Sequence, residues 1–331
     1  MRLVVLGTGR MASARAALLL RHPDVDEVML AGHGRRRTEE IAAGCGARAA
    51  TLEEAIGFDP DGVVVASATE HHAEQLLAAA PLGVPVLCEK PIALSVDDTA
   101  RAIDTLTAAG VCVQVGFQRR FDRGFRAARE HAAAGRLGTL YSLRISARDA
   151  TPAPEHYIAG SGGIFRDMHV HDFDLARWIT GREVATVYAT GTVRGFERFA
   201  RHDDVDTSAI LLTMNDGLPV LIDGSRHDPL GYDVRMEVVG SDDVVAVGLD
   251  ERTPLHRLGP PPAPPPSSAW TSFAERFAGA FAAETDAFVA LVRDGGESPC
   301  PPETALEALR VAVACEVSRT EGRPVAPVEI G

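Results

Sequence analysis

The chain has 331 residues, 46% of them hydrophobic and 24% charged, with a formal net charge of −13. That length exceeds what one hydrophobic core usually organises, so two domains are expected, and the composition excludes a disordered, collagen-like or disulfide-stapled chain. The acidic balance argues against a nucleic-acid binder, whose phosphate affinity comes from Lys and Arg.

The first third alternates apolar runs with Ala-rich stretches. Residues 3–6, 28–31, 63–66, 84–88 and 111–115 read as strands covered on both faces. Helical spacing occupies 11–20, 38–44, 70–80 and 96–109; Ser95 caps the last of these, with Asp97 and Asp98 in its first turn. This alternation predicts a right-handed, doubly wound parallel sheet over residues 1–120. Past residue 120 the rhythm changes. Runs at 140–146, 184–193, 209–214, 220–223, 234–239 and 244–247 are joined by turns, with a hairpin signal at Asn215-Asp216-Gly217. They predict an α+β domain, residues 121–331, whose open sheet is mostly antiparallel. Gly259 to Pro266 reads as a polyproline-like linker. Two helices, 273–292 and 303–320, end the chain and are free to pack back on the first domain.

Cys45, Cys88, Cys112, Cys300 and Cys315 form no C-x-x-C pair and have no zinc-finger spacing, so reduced thiols and no metal site are expected. No apolar stretch is long enough to span a bilayer, and Met1 to Gly7 reads as a strand, not a signal peptide. The expectation is a cytoplasmic chain without membrane or nucleic-acid partners.

Gly7-Thr8-Gly9-Arg10-Met11-Ala12 fits G-x-G-x-x-A between the first strand and first helix. Gly7 permits the tight turn, and Gly9 lets a pyrophosphate approach the backbone at the helix start, beside Arg10 and Met11. A bare glycine turn is the structural alternative; the β/α units behind the motif favour dinucleotide binding. The second strand should end in an acid that holds the ribose hydroxyls, but Gly32 stands there, followed by His33, Gly34, Arg35, Arg36 and Arg37. Guanidinium groups accept a ribose 2′-phosphate, and three cations at a helix N-terminus oppose the helix dipole unless an anion is near. NADP(H) is therefore expected, with NAD(H) as the alternative.

Glu89-Lys90-Pro91 follows strand 84–88 at the carboxyl edge, where ligands of such sheets bind. Lys90 could hydrogen-bond a substrate hydroxyl and stabilise a developing oxyanion; the alternative is a solvated edge lysine. Further on, the segment from Gly162 to Asp174 continues through Phe173, Ala176 and Trp178 as an amphipathic helix. Asp167 and His171, four apart, share one face, while His169 points away. A carboxylate beside an imidazole suits proton transfer. A metal pair is disfavoured by the two-residue spacing of the histidines, and a capping Asp with a satisfied His stays open.

With these motifs the chain resembles the nicotinamide-dependent sugar and cyclitol oxidoreductases that include glucose–fructose oxidoreductase and inositol 2-dehydrogenase. The likeness runs nearly end to end: Gly7 to Ala12, Ala66 to Glu74, Glu89-Lys90-Pro91 and Gly116 to Asp122. It is nearest the inositol branch through Ser146-Ala147-Arg148-Asp149, Ser161 to Asp174 and Gly231 to Glu237. The resemblance implies a Rossmann domain followed by an open-sheet domain used for homo-oligomer contacts, as a tetramer or dimer. It implies a catalytic set of Lys90, Asp167 and His171, a cofactor lined by Ser67, Thr69, His72, Glu89 and Gln118, and Arg119, Asp149 and Tyr157 on a small polyol or sugar. Hydride transfer between a nicotinamide and a secondary alcohol of a cyclitol is the activity expected, with a pyranose dehydrogenase as the alternative. A ligand-sensing regulator without catalysis is a further alternative, against which the intact Lys90, Asp167 and His171 speak. Two departures stand out: Gly32 replaces the ribose-binding acid, and His169 replaces a small polar residue, so substituting His169 is expected to change substrate preference.

Overall fold

The computed structural model describes residues 1–256, 258–259 and 267–331; beyond Gly259, the segment read as a linker lies outside them. The chain divides into two units, residues 1–118 with 281–307, and residues 119–280 with 308–331. Residues 281–307, from the last two helices, group with the first unit.

In the first unit, β1 (Arg2–Leu6), α1 (Arg10–Leu19), β2 (Glu27–Ala31), α2 (Arg35–Cys45), β3 (Arg48–Ala50), α3 (Leu52–Ile56), β4 (Gly62–Val65), α4 (His72–Ala79), β5 (Val86–Cys88), α5 (Val96–Ala108) and β6 (Val113–Val115) follow in order. All strand pairs are parallel, in the order β3-β2-β1-β4-β5-β6. The order reverses direction between β1 and β4, the place where dinucleotides bind such sheets. Leu3, Val5, Val64 and Leu87 are buried as two-sided strands require. Ser95 caps α5 by accepting from the Asp98 N–H, as its sequence predicts. Strand β3 escapes prediction because Arg48-Ala49-Ala50 carries no apolar run; α3 then starts on a capping box between Thr51 and Glu54.

The second unit holds α6 (Arg123–Ala133), β7 (Leu140–Arg148), α7 (Glu155–Ser161), α8 (Val170–Thr180), β8 (Val184–Thr192), β9 (Thr207–Met214), β10 (Pro219–Ser225), β11 (Asp233–Gly240), β12 (Val244–Val247) and α9 (Phe273–Arg276). Two helices complete the chain, α10 (Ala278–Asp294) and α11 (Pro302–Glu321), and both cross between the units. The second sheet runs β12-β11-β7-β10-β9-β8. It is mixed: β7 and β10 pair in parallel, and every other pair is antiparallel. The connection from β7 to β10 passes through two helices and two strands, long enough for the crossover that parallel pairing needs. Leu143, Ile145, Leu212, Ile222 and Val238 are buried on one face, and Tyr188, Leu211 and Leu221 lie in register on the other, each more than two-fifths exposed.

None of the five cysteines is in a disulfide. Among the described residues no helix is long and apolar enough to cross a membrane, and no group of three or more His, Cys, Asp or Glu side chains could hold a metal ion.

Candidate active site

The phosphate loop fits a pyrophosphate. Gly7 has φ +133°, and a Cβ there would lie 2.6 Å from the Ala66 carbonyl oxygen, so only glycine is tolerated. Gly9 is the N-cap of α1 and offers no side-chain acceptor, and no acidic residue occupies the first turn. No carboxylate there competes with an anion for the helix N–H groups, and a Cβ on Gly9 would meet nothing within 4 Å.

At the end of β2, the space a side chain on Gly32 would need is taken by Thr8, whose Cγ2 would sit 2.5 Å from it. His33 meets His71 with ring centroids 5.0 Å apart, linking the segments after β2 and β4. Arg35 and Arg36 pair with Glu39 and Glu40 one turn on, at 2.9 and 3.6 Å. The helix thus supplies its own counter-charges, and an external anion is not needed to settle its first turn.

The residues after β4 and β5 are tied together. His72 is buried, with Nδ1 2.8 Å from the Pro91 carbonyl oxygen and Nε2 3.2 Å from that of Ser67. Burial lowers its proton affinity despite these acceptors. Glu89 is likewise buried, its carboxylate accepting from Arg15 at 2.8 Å. Through these bonds His72 and Glu89 shape the loop that carries Lys90. Ser67 donates to Gln75 at 2.9 Å, Thr69 opens the short turn before α4, and Gln118 is buried where the first unit ends.

In the second unit, Asp167 lies not in an α-helix but in a π-helical turn, Phe165–His169, that runs into α8. Such wide turns insert a residue into a helix and recur at functional sites. His171 follows in the first turn of α8. Asp167 is held on both oxygens: Tyr157 donates its hydroxyl to Oδ1 and Arg226 donates Nη1 to Oδ2, each at 2.8 Å. Arg226 also stands 3.6 Å from Asp149, so it gathers two carboxylates expected at the substrate. Burial alone would lower its proton affinity, but Asp167, Asp149 and Asp204 outweigh that and raise it. Burial raises Asp204, whose Oδ1 accepts from the Ile164 N–H. Sequence reasoning missed Arg226. It directly follows β10, and Asp149 directly follows β7, so the parallel pairing of those strands brings the two together; an antiparallel expectation conceals that.

His169 and Arg119 are both buried. His169 is wholly buried, its ring between Asp172 (2.7 Å) and the Ser208 hydroxyl (2.7 Å), against Gly224, where a Cβ would lie 2.3 Å from Nε2. It is packed as a core group. Arg119 is 3% exposed, ion-paired with Asp172 and set over the Phe277 ring. It braces α8.

Comparison with known proteins agrees with this geometry. Residues 1–117 match the oxidoreductase family with an NAD-binding Rossmann fold, and residues 125–246 match the GFO/IDH/MocA C-terminal domain. The chain is 35% identical to a myo-inositol 2-dehydrogenase of Thermotoga maritima over 334 residues, covering 100% of this chain and 99% of that one. A scyllo-inositol 2-dehydrogenase (NAD(+)) of Bacillus subtilis is 29% identical, covering 98% and 95%. The crystal structure of a probable dehydrogenase from Thermotoga maritima superposes with a TM-score of 0.92 at 33% identity, over all of both chains. The two matched domains, joined in one chain with the phosphate loop at its start, place this protein in the GFO/IDH/MocA family of NAD-binding oxidoreductases.

Proposed function

We propose that this oxidoreductase acts on a cyclitol, converting one ring CH–OH to the ketone or the reverse, with Lys90, Asp167 and His171 as its catalytic residues. The observation that carries this reading is the Asp167 carboxylate, fixed by Tyr157 and Arg226 immediately before the helix that bears His171. Two oriented carboxylates, Asp149 and Asp167, around one buried guanidinium suit a substrate rich in hydroxyl donors. When bound at the phosphate loop, the dinucleotide supplies the hydride acceptor. His171 takes the hydroxyl proton on a ring nitrogen, Lys90 hydrogen-bonds the same oxygen and stabilises its developing charge, and Asp167 orients the imidazole and a ring hydroxyl. His171→Ala and Lys90→Ala should each lower turnover by roughly 10²–10⁴ while nicotinamide fluorescence titration stays normal. Near-normal turnover by His171→Ala across a panel of inositols overturns the assignment, and oxidation of pyranoses but no inositol overturns the substrate class.

For the dinucleotide we propose NADP(H) over NAD(H). Gly32 offers no carboxylate to repel a 2′-phosphate, and the exposed arginines of α2 can turn from Glu39 and Glu40 toward one. Tighter binding of NAD(H) in a direct titration rejects this choice. We further propose a homo-oligomer, built on the open face of the second sheet.

A further inference from the structure

Arg15 lies on α1 and is 1% exposed. It donates to Glu89 Oε1 from Nε at 2.8 Å, and its Nη2 reaches Glu89 at 2.7 Å and Glu284 Oε2 at 2.5 Å. Glu284, on α10, is wholly buried. The ring of Phe281, one helical turn earlier on α10, lies 5.1 Å from the guanidinium carbon. Two carboxylates on one guanidinium leave an excess negative charge in the interior. Stability does not call for that: apolar packing of the same volume serves as well or better. Its location is informative, because Glu89 is the residue before Lys90, and Arg15 belongs to the helix that carries the phosphate loop.

We propose that Arg15 and Glu284 are positioning residues for Lys90: acting through Glu89, they clamp the Lys90 segment onto α1, and the charge on Glu284 sets how firmly Arg15 holds Glu89. The proposal rests on the reading of Lys90 as the group that hydrogen-bonds the reacting oxygen. With Glu284 protonated, Arg15 gives its full charge to Glu89; with Glu284 ionised, the guanidinium is divided between two carboxylates. The charged groups acting on Glu284 are Arg15 from α1 and Glu89 from the segment after β5. From β6, uncharged Gln114 donates Nε2 to the Glu284 backbone carbonyl at 3.0 Å. His72 acts on Glu89 from α4. Arg15 Nη1, Gln114 Oε1 and Glu284 Oε1 have no hydrogen-bond partner among the described residues, so the cluster can rearrange when a proton arrives. Burial pushes Glu284 up to about 7, which sets the exchange between the two states near neutral pH.

The test is the pH dependence of kcat for Glu284→Gln in the full chain with cofactor, beside the unmodified protein. An ionisation near neutral pH should appear in the unmodified protein and be missing from the variant, with the cofactor KM unchanged. On the alkaline side the unmodified protein should fall below the variant by roughly three- to tenfold, less than the ~10²-fold cost of a full misplacement. A purely structural role moves stability and leaves the profile in place, so superimposable profiles overturn the proposal. If the Gln variant binds neither NADPH nor NADH, Gly116→Ala perturbs the clamp from the other side. Its Cβ would lie 2.9 Å from Glu89 Oε2. A lowered kcat with cofactor affinity retained supports the clamp, and an unchanged kcat overturns it. Turnover retained by Lys90→Ala would instead remove the underlying reading of Lys90, a separate result.

Discussion

Thr8 and Gly32 share one space, and that pairing decides how the dinucleotide preference can be engineered. Gly32→Asp alone forces Thr8 Cγ2 out of a 2.5 Å contact, so it should weaken binding of both dinucleotides. Gly32→Asp with Thr8→Ala relieves the contact and should shift preference toward NAD(H) by about tenfold or more, near 1.4 kcal/mol, read by fluorescence titration. His169 gives a second residue-level prediction. His169→Ala leaves Asp172 and Ser208 without their shared partner and opens a cavity, so it should cost ~2–4 kcal/mol in denaturant unfolding. Substrate preference should not change. From sequence alone, the choice of Asp167 and of His171 follows from their spacing, and that of Lys90 from its strand edge. The buried place of His169 does not, since nothing in its neighbours announces that Gly224 leaves an opening for its ring.

The connections between elements carry the next set of consequences. Arg226 joins the end of β10 to the π-helical turn before α8, and removing it strands Asp167, Asp149 and Asp204 around an empty centre. Arg226→Met should destabilise the second unit by ~3–5 kcal/mol, the usual cost of breaking a buried pair, and lower turnover with it. Thermal unfolding and steady-state rates check both. The Glu284 side chain links α10 to α1 and makes stability depend on pH. In the native state it keeps its proton to about pH 7, against a reference value of 4.5. Between those values the native state binds more protons than the unfolded chain, so this group's contribution falls as pH rises through the window and is lowest above it. Glu284→Gln should remove that slope and gain up to about 3 kcal/mol above neutrality in urea titrations. Buried apolar runs made the parallel sheet legible except for β3, whose three residues carry no pattern. The mostly antiparallel second sheet was legible too, but its one parallel pair, β7 with β10, was not, because alternation fixes which face is buried and says nothing of which neighbour a strand meets.

At the scale of the whole molecule, the open face of the second sheet is the feature most exposed to test. Tyr188, Leu211 and Leu221 form a row across β8, β9 and β10, continued in register by Arg144 of β7 and Glu237 of β11. Apolar surface rimmed by charge marks an association site, so Leu211→Arg with Leu221→Arg should yield monomers by light scattering with catalysis per site largely retained. An unmodified protein that is already monomeric at micromolar concentration removes the proposal. The return of residues 281–307 to the first unit sets the order in which the protein can mature on a ribosome. Phe288 and Val289 pack with Leu3, Val5 and Val64, and the Cys300 carbonyl accepts from the Val115 N–H. The nascent phosphate-loop unit therefore lacks part of its core, and Arg15 lacks its second carboxylate, until the entire second sheet has been translated. At ~5–20 residues per second that wait is on the order of ten seconds or more. Throughout it the part of that core which Phe288 and Val289 complete stays open, so a stalled or truncated product should be the form that aggregates.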